Sequence, residues 1–131
     1  MSRRRKVGDA ASQRIYGEFA DGIRFRNPEL RRRLLGILWR LRGSCVQHDV
    51  RLWFTERTKP SHRVLAMCRG CPVRGLCLAS SIAYAEEFGV WGGYTAPQRE
   101  AMILTARQGV PVDHIVTSVL SHEEDRRAAA S

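Results

Sequence analysis

The sequence predicts a small all-α domain, and three observations support this. Apolar residues recur at helical spacing in several segments, whereas the alternating pattern of strands is almost absent. Residues that start and stop helices flank those segments. The length of 131 residues, with 44% apolar and 27% charged side chains, fits one domain with a single core. We therefore expect an irregular domain of four to five short helices.

The first helix signals lie in the N-terminal third of the chain. We expect residues 1–9 to be a flexible basic arm, and residues 10–20 favour a short helix. Asn27 as N-cap and Pro28 in the first turn predict a longer helix that ends at Gly43. The apolar stripe of that helix would consist of Leu30, Leu34, Ile37, Leu38 and Leu41.

The middle of the chain contains two further helix signals. Residues 46–60 have no clear periodicity, and a short helix follows at residues 61–69, where Gly70 stops it. The next helix would begin near Pro72 and run to Phe88. These two helices are therefore separated only by a short turn.

A glycine-rich segment separates that helix from the next. Residues 89–93 read GVWGG, and three glycines in five residues predict a tight turn with positive φ or close backbone contacts. Thr95 and Gln98 then form a capping box, which predicts a helix to about Gln108.

The C-terminal segment contains one more helix signal. Pro111 opens a helix to about residue 120, and we expect the polar, alanine-rich remainder to fray. The predicted organisation therefore has three parts, a partly flexible basic arm, a central cysteine-containing domain and a C-terminal helix with its tail: residues 1–26, 27–110 and 111–131.

The net charge of +9 is concentrated at the N-terminal end. Residues 1–44 contain twelve basic and four acidic side chains, so they account for +8 of this charge. Such a charge balance favours an acidic partner, either nucleic acid or an acidic protein surface. The alternative is that these arginines only solvate the polar face of an amphipathic helix. The candidates for phosphate contacts are Arg3, Arg4, Arg5, Arg31, Arg32 and Arg33.

Several classes of protein do not fit the sequence. No apolar run approaches the length of about 18 residues needed for a membrane span, and the N-terminus does not resemble a signal peptide. We therefore expect a cytoplasmic protein without a membrane partner. No phosphate loop, catalytic triad or paired-carboxylate site is evident, and no strand precedes the C-x2-C motif as in dithiol oxidoreductases. We therefore expect that the protein is not an enzyme.

The chemistry of the sequence is concentrated in four cysteines. Cys45, Cys68, Cys71 and Cys77 are spaced C-x22-C-x2-C-x5-C and make up a complete ligand set. Two disulfides are disfavoured because nothing indicates secretion. A structural zinc ion and an iron–sulfur cluster both take four thiolates, and the spacing alone does not separate them.

The cysteine segment and the glycine turn together resemble the WhiB-like family of actinobacteria and their phages. The run CRGCPVRGLC ends at Cys77, GVWGG begins twelve residues later, and the lone Cys45 lies upstream. Asp49 and the aromatic pair Trp53 and Phe54 lie where the family has similar residues, so the match covers about residues 45–97. The resemblance implies that the four cysteines bind a [4Fe-4S] cluster, around which the helices are organised.

The resemblance also implies a partner and a function. Family members regulate transcription by binding region 4 of the principal sigma factor of RNA polymerase, and oxygen or nitric oxide can alter that regulation through the cluster. The tryptophan of the turn takes part in this binding, which here points to Trp91. The surrounding candidates are Trp53, Phe54, Gly92, Gly93 and Tyr94. We expect the protein to act as a monomer.

The C-terminal segment departs from the family pattern. Many members have a basic or Arg-Gly-Arg element after the turn for contacting DNA, whereas residues 98–131 have a net charge of −1 here. The arginine-rich front is therefore the better candidate for contacts with promoter DNA. The alternative is a zinc-stabilised DNA-binding module that uses the basic N-terminal arm.

Overall fold

The computed structural model describes residues 19–55 and 59–130, and it confirms the predicted all-α class. In these ranges there are five α-helices and two short 3-10 helices, and the only β-pairing is an isolated bridge between Trp91 and Tyr94. The α-helices are α1 (Pro28–Leu35), α2 (His62–Arg69), α3 (Arg74–Ala83), α4 (Ala96–Arg107) and α5 (Val112–Ala130). The 3-10 helices are Leu38–Arg42 and Val50–Trp53.

Helix α1 begins as predicted and ends earlier. The side chain of Asn27 accepts a hydrogen bond from the Glu29 N–H at 2.9 Å, which is the expected N-cap. The predicted continuation to Gly43 is wrong, because Gly36 adopts an extended conformation with ψ of 170° and ends the α-helix. The chain resumes as a 3-10 helix at Leu38.

This break changes which side chains are buried. Trp39 is 8% exposed and donates its indole N–H to the Gly36 carbonyl, whereas Leu38 and Leu41 are 76% and 69% exposed. The predicted apolar stripe is therefore correct for Leu34 and wrong for the two later leucines. A change of helix type rotates every following side chain, so the helical spacing stops applying at the break.

Helix α2 agrees with the prediction, and α3 is shorter than predicted. The Ser61 hydroxyl accepts the Val64 N–H at 3.2 Å, and Gly70 ends α2. Helix α3 ends at Ala83 and does not reach Phe88. Ala85 adopts a positive φ of 53°, and the Glu86 N–H bonds back to the Ser81 carbonyl at 2.8 Å. This arrangement closes the helix without the glycine that usually marks such an end.

The last two helices differ in how well the sequence predicts them. Helix α4 has the predicted capping box, with both hydrogen bonds between Thr95 and Gln98 present. Helix α5 continues to Ala130, although the sequence predicted an end near residue 120 and a frayed tail. Alanine is the strongest helix former, and Glu123 is held by contacts with α3 and the turn.

Helix α3 lies at the centre of the domain. It packs against α1, α4 and α5, and residues 78–83 are all buried. A second, smaller apolar cluster surrounds α2 and contains Trp53, Val64, Cys68 and Val90. The core around α3 consists of Leu34, Trp39, Val73, Leu78, Ala79, Ile82, Ala83, Tyr94, Ala106, Val112, Ile115 and Val116.

Two expectations from the sequence concern membrane-spanning helices and the basic N-terminus. No helix in the described ranges is long and apolar enough to cross a membrane. The predicted basic arm, with Arg3, Arg4 and Arg5, lies outside the described residues, as does most of the predicted helix at residues 10–20.

Candidate functional site

The four cysteines line one small cavity, although they come from separate parts of the chain. Cys45 follows the first 3-10 helix, Cys68 lies near the end of α2, Cys71 lies in the α2–α3 turn and Cys77 lies within α3. All four are free thiols. The fold therefore brings together the complete cysteine set that the spacing singled out.

Backbone geometry in the α2–α3 turn places three of these thiols. Gly70 ends α2, and the Cys71 N–H then donates to the Cys68 carbonyl at 3.1 Å. The Arg74 N–H donates to the Cys71 carbonyl at 3.2 Å and leads into α3. The turn is short enough that consecutive cysteines face the same cavity.

Three N–H groups are directed at cysteine sulfurs. The indole N–H of Trp53 lies 3.3 Å from Cys68 Sγ, and the backbone N–H of Ser44 lies 3.4 Å from Cys71 Sγ. The backbone N–H of Gly92 donates to the sulfur of Cys77. Hydrogen bonds of this kind stabilise a thiolate more than a thiol, so the site contains donors that suit a bound metal group.

Burial has the opposite effect on the thiols. It raises the pKa of Cys77 to about 12, although the Gly92 N–H partly opposes the shift. Partial burial and the neighbouring Cys71 raise the pKa of Cys45. Four thiolates therefore become compatible with this cavity when a positively charged group lies between them.

The four cysteines match a tetrathiolate metal group in residue type. Four cysteine sulfurs are the ligands of both a structural zinc ion and a [4Fe-4S] cluster. Within residues 19–55 and 59–130, no three His, Cys, Asp or Glu side chains converge closely enough to surround a single ion. The thiols border a shared space that other side chains also line, among them Trp53, Met67 and Val90.

An apolar groove of about 240 Å³ adjoins this cavity. Cys45, Cys71, Cys77, Trp53 and Val90 border both spaces, so the cavity and the groove share one wall. The remaining lining residues of the groove are Trp39, Arg40, Gly43, Val50, Phe54, Val73 and Trp91.

The glycine turn places Trp91 at the edge of the groove. Gly92 and Gly93 have φ of 61° and 88°, and Trp91 and Tyr94 pair through two backbone hydrogen bonds across them. A β-carbon on Gly92 would lie 2.9 Å from Cβ of Leu78, so the turn packs directly on α3. The predicted tight turn with positive φ is confirmed.

The other aromatic candidates occupy different places. Phe54 is 44% exposed and borders the groove, with its ring against Gly89. Trp53 is 4% exposed and belongs to the shared wall. Tyr94 is buried, and its hydroxyl donates to Glu123 on α5 at 2.6 Å, so it faces away from the groove lining.

Arg99 holds both ends of the glycine-rich segment and was not singled out by the sequence. It is fully buried, and its guanidinium donates to the backbone carbonyls of Glu86, Phe88, Gly89 and Tyr94 at 2.6 to 3.2 Å. An arginine in the first turns of an amphipathic helix looks like a surface residue in a sequence. Only the fold shows that it holds both ends of the glycine-rich segment.

The arginines proposed for phosphate contacts lie on the surface of α1. Arg31, Arg32 and Arg33 are exposed, Arg32 pairs with Glu29, and Arg31 lies over the ring of Phe19 at 5.7 Å. None of the three borders the cavity or the groove. They form a surface separate from the cysteine site.

These features define a class of protein: a small helical domain with a four-cysteine centre and an adjoining aromatic groove. The chain belongs to the WhiB family. The family model described as "Transcription factor WhiB" matches residues 39–102, which contain all four cysteines and the glycine turn.

Individual relatives agree with this assignment. The chain is 34% identical over 64 residues to the transcriptional regulator WhiB2 of Mycobacterium tuberculosis, which is 49% of this chain and 72% of that protein. It is 32% identical over 72 residues to the redox-responsive transcriptional regulator WhiB3 of Mycolicibacterium smegmatis, which is 50% of this chain and 75% of that protein. For WhiB2 of M. smegmatis, also 34% identical, the chain spans half of the relative's length.

Proposed function

We propose that this protein is an iron–sulfur transcriptional regulator that binds region 4 of the principal sigma factor. Cys45, Cys68, Cys71 and Cys77 would hold a [4Fe-4S] cluster in the cavity, and the groove would receive the sigma domain. One observation carries the proposal: the four-cysteine cavity and the aromatic groove share a wall. A metal group on one side of this wall fixes the shape of the docking surface on the other.

The chemistry of the cavity supports a cluster. Three N–H groups donate to cysteine sulfurs, and Trp53 and Val90 cover the site with apolar surface. A bound cluster supplies a redox-active centre that oxygen and nitric oxide attack. The relative WhiB3 is named as redox-responsive. We therefore propose that the protein responds to such oxidants, and that its role is regulatory and not enzymatic.

The groove supports a protein partner. Trp91 and Phe54 border it, and Val50 beside them is 64% exposed. Tryptophan and phenylalanine at the rim of an apolar depression are typical anchors of protein interfaces. Since the turn is held by Arg99 and packed on α3, Trp91 is presented by a rigid support.

The first experiment identifies the metal group. The protein is purified without oxygen, and its visible spectrum is recorded together with iron, sulfide and zinc analysis. We expect a broad absorbance band at the blue end of the spectrum and about four irons per chain. One zinc per chain without colour would contradict the cluster and would support the zinc-stabilised DNA-binding alternative.

The second experiment tests the sigma partner. Trp91→Ala should weaken capture of sigma region 4 by at least about 30-fold, because a central tryptophan often contributes 2 kcal/mol or more to an interface. Phe88→Ala is the matched control, since Phe88 is 60% exposed and does not line the groove. Cluster absorbance should be unchanged in both variants. Full-strength capture by Trp91→Ala would contradict the anchor role.

We also propose that α1 contacts promoter DNA. Three consecutive exposed arginines, Arg31, Arg32 and Arg33, support phosphate contacts next to a docked polymerase. Replacing them with glutamine should weaken DNA binding and reduce the slope of log affinity against log salt. An unchanged slope would show that these arginines only solvate the helix.

A further inference from the structure

We infer that Arg40 is the polar anchor of the groove, and that the segment docked there presents a carboxylate side chain to it between apolar side chains. The inference rests on the proposed function and adds the chemistry of the bound segment.

The surroundings of Arg40 are unusual for an arginine. Its guanidinium carbon lies 4.8 Å from the ring centre of Trp39 and 5.5 Å from that of Trp91, the proposed anchor. Nη2 donates to the hydroxyl of the fully buried Ser80 at 3.0 Å. Nε is shielded from solvent and has no hydrogen-bond partner in the described structure. The cation is therefore held in a fixed position by α3 and two tryptophans.

No carboxylate in the described residues pairs with the guanidinium of Arg40. The ion pairs there join Arg32 to Glu29, Arg51 to Asp49, and both Arg74 and Arg127 to Glu123. Arg40 instead has neutral neighbours, namely two indole rings, a serine hydroxyl and the nearby phenol of Tyr84. A partly buried guanidinium without a carboxylate partner lacks a charge-assisted hydrogen bond, and a carboxylate arriving at the groove would supply one.

The groove around Arg40 defines the rest of the occupant. Arg40 is the only arginine, lysine, aspartate or glutamate among the described residues that line the groove, and the others are mostly apolar or aromatic. A segment that fits has apolar side chains for Val50, Phe54 and Trp91, with one aspartate or glutamate for Arg40. Such a segment satisfies both parts of the surface, whereas a purely apolar segment would leave the guanidinium further desolvated and unpaired.

The first test uses the cluster-loaded protein and sigma region 4. Arg40→Gln should weaken binding at least about tenfold and make it less dependent on salt, because a charge pair is lost. Arg40→Lys keeps the charge without the planar fork and should fall in between. Arg42→Gln is the matched control, since Arg42 is an exposed neighbour on the same 3-10 helix and should bind within about twofold of the wild type.

The acidic residues of region 4 are then replaced one at a time by the corresponding amides. Replacing the carboxylate that pairs with Arg40 should weaken binding to the wild-type protein. The same replacement should not weaken binding to the Arg40→Gln variant any further. If Arg40→Gln binds as tightly as the wild type while Trp91→Ala is weakened, the inference is overturned and the proposed function stands. Cluster absorbance and helical circular dichroism confirm that each variant is folded.

A second probe does not depend on the sigma factor. Fluorine NMR of 3-(4-fluorophenyl)propionate and of its amide reports binding of a small apolar carboxylate and of its neutral counterpart. We expect saturable broadening of the acid signal that exceeds that of the amide and disappears with Arg40→Gln but not with Arg42→Gln. If the wild-type protein fails to bind region 4, the proposed function is overturned. The comparison of the acid with its amide then still tests the inference about Arg40. Equal responses to acid and amide overturn it.

Discussion

Nη2 of Arg74 lies 2.7 Å from Oε1 of Glu123, a residue 49 positions later in the chain. Nη1 donates to the other carboxylate oxygen at 2.8 Å, so the pair is bidentate. Nε of Arg74 donates to the Gly92 carbonyl at 2.9 Å, and the Tyr94 hydroxyl donates to Glu123. This network joins α3, the glycine turn and α5 directly behind the cysteine cavity.

Removing the charge of Glu123 should destabilise the protein. Both charged partners are largely buried, with side-chain exposures of 13% for Arg74 and 16% for Glu123. Glu123→Gln leaves the guanidinium without its anion, and we expect a loss of about 3 kcal/mol in the free energy of unfolding. Glu124→Gln, on the exposed face of α5, should change it by less than about 0.5 kcal/mol. Chemical denaturation of the wild type and the two variants measures both changes. Equal stability of the wild type and Glu123→Gln would contradict a stabilising role for this network.

The same carboxylate should make stability depend on pH. Hydrogen bonds from Arg74 lower the pKa of Glu123 from 4.5 to about 2, and Tyr94 and Arg127 add to this effect. Because the pKa is lower in the folded state, the contribution is complete above about 4.5 and is lost as the pH falls towards 2. The stability difference between wild type and Glu123→Gln should therefore shrink over this window. A constant difference in stability would show that these partners do not lower the pKa of the Glu123 carboxyl in the folded protein.

Ala85 is a position where a substitution should stabilise the protein. Its φ of 53° is left-handed, a conformation that costs alanine roughly 1 kcal/mol and glycine almost nothing. We expect Ala85→Gly to raise the melting temperature by a few degrees. Ala101→Gly, at an exposed position inside α4, should lower stability by about 1 kcal/mol. Thermal unfolding of the two variants tests whether the backbone at the end of α3 is strained. A lower melting temperature for Ala85→Gly than for the wild type would show that it is not.

Gly92 should be intolerant of even one methyl group. A β-carbon there would lie 2.9 Å from Cβ of Leu78 and 3.2 Å from the Arg74 carbonyl, at a φ of 61°. We expect Gly92→Ala to cost about 2 kcal/mol or more and to reduce the absorbance of the proposed cluster, since the Gly92 N–H donates to Cys77. Gly75→Ala, in α3, adds a carbon that meets no atom within 4 Å from the described residues outside its own turn of helix, so it should be neutral or slightly stabilising. Wild-type behaviour of Gly92→Ala would show that the turn can move.

The helix starts could be predicted because they depend on neighbouring residues. Asn27, Ser61 and Thr95 each accept a backbone N–H within three residues, so the sequence alone contains the signal. The helix ends were harder to predict. Ala85 does not resemble a stop signal, and helix α5 continues past residue 120 while Glu123 is held by Arg74, far away in the sequence.

The candidate site shows the same division. Cysteine spacing and the GVWGG turn point to the four cysteines of the cavity and to Trp91 at the edge of the groove, because both are short motifs. Arg40 and Arg99 could not be identified in this way, since their partners are the ring of Trp91 and backbone carbonyls that only the folded chain brings near. A sequence shows a charge at such positions and does not show whether an anion accompanies it.

The wall between the cavity and the groove has a consequence for how this protein can evolve. Substitutions at Trp53 or Val90 alter two spaces at once, so natural variation there must satisfy two requirements together. Val50 and Phe54 border the groove and not the cavity, so they can change with the proposed partner without disturbing the thiols. Related chains are therefore expected to diverge in partner preference mainly at the outer rim, while the inner wall keeps its residues.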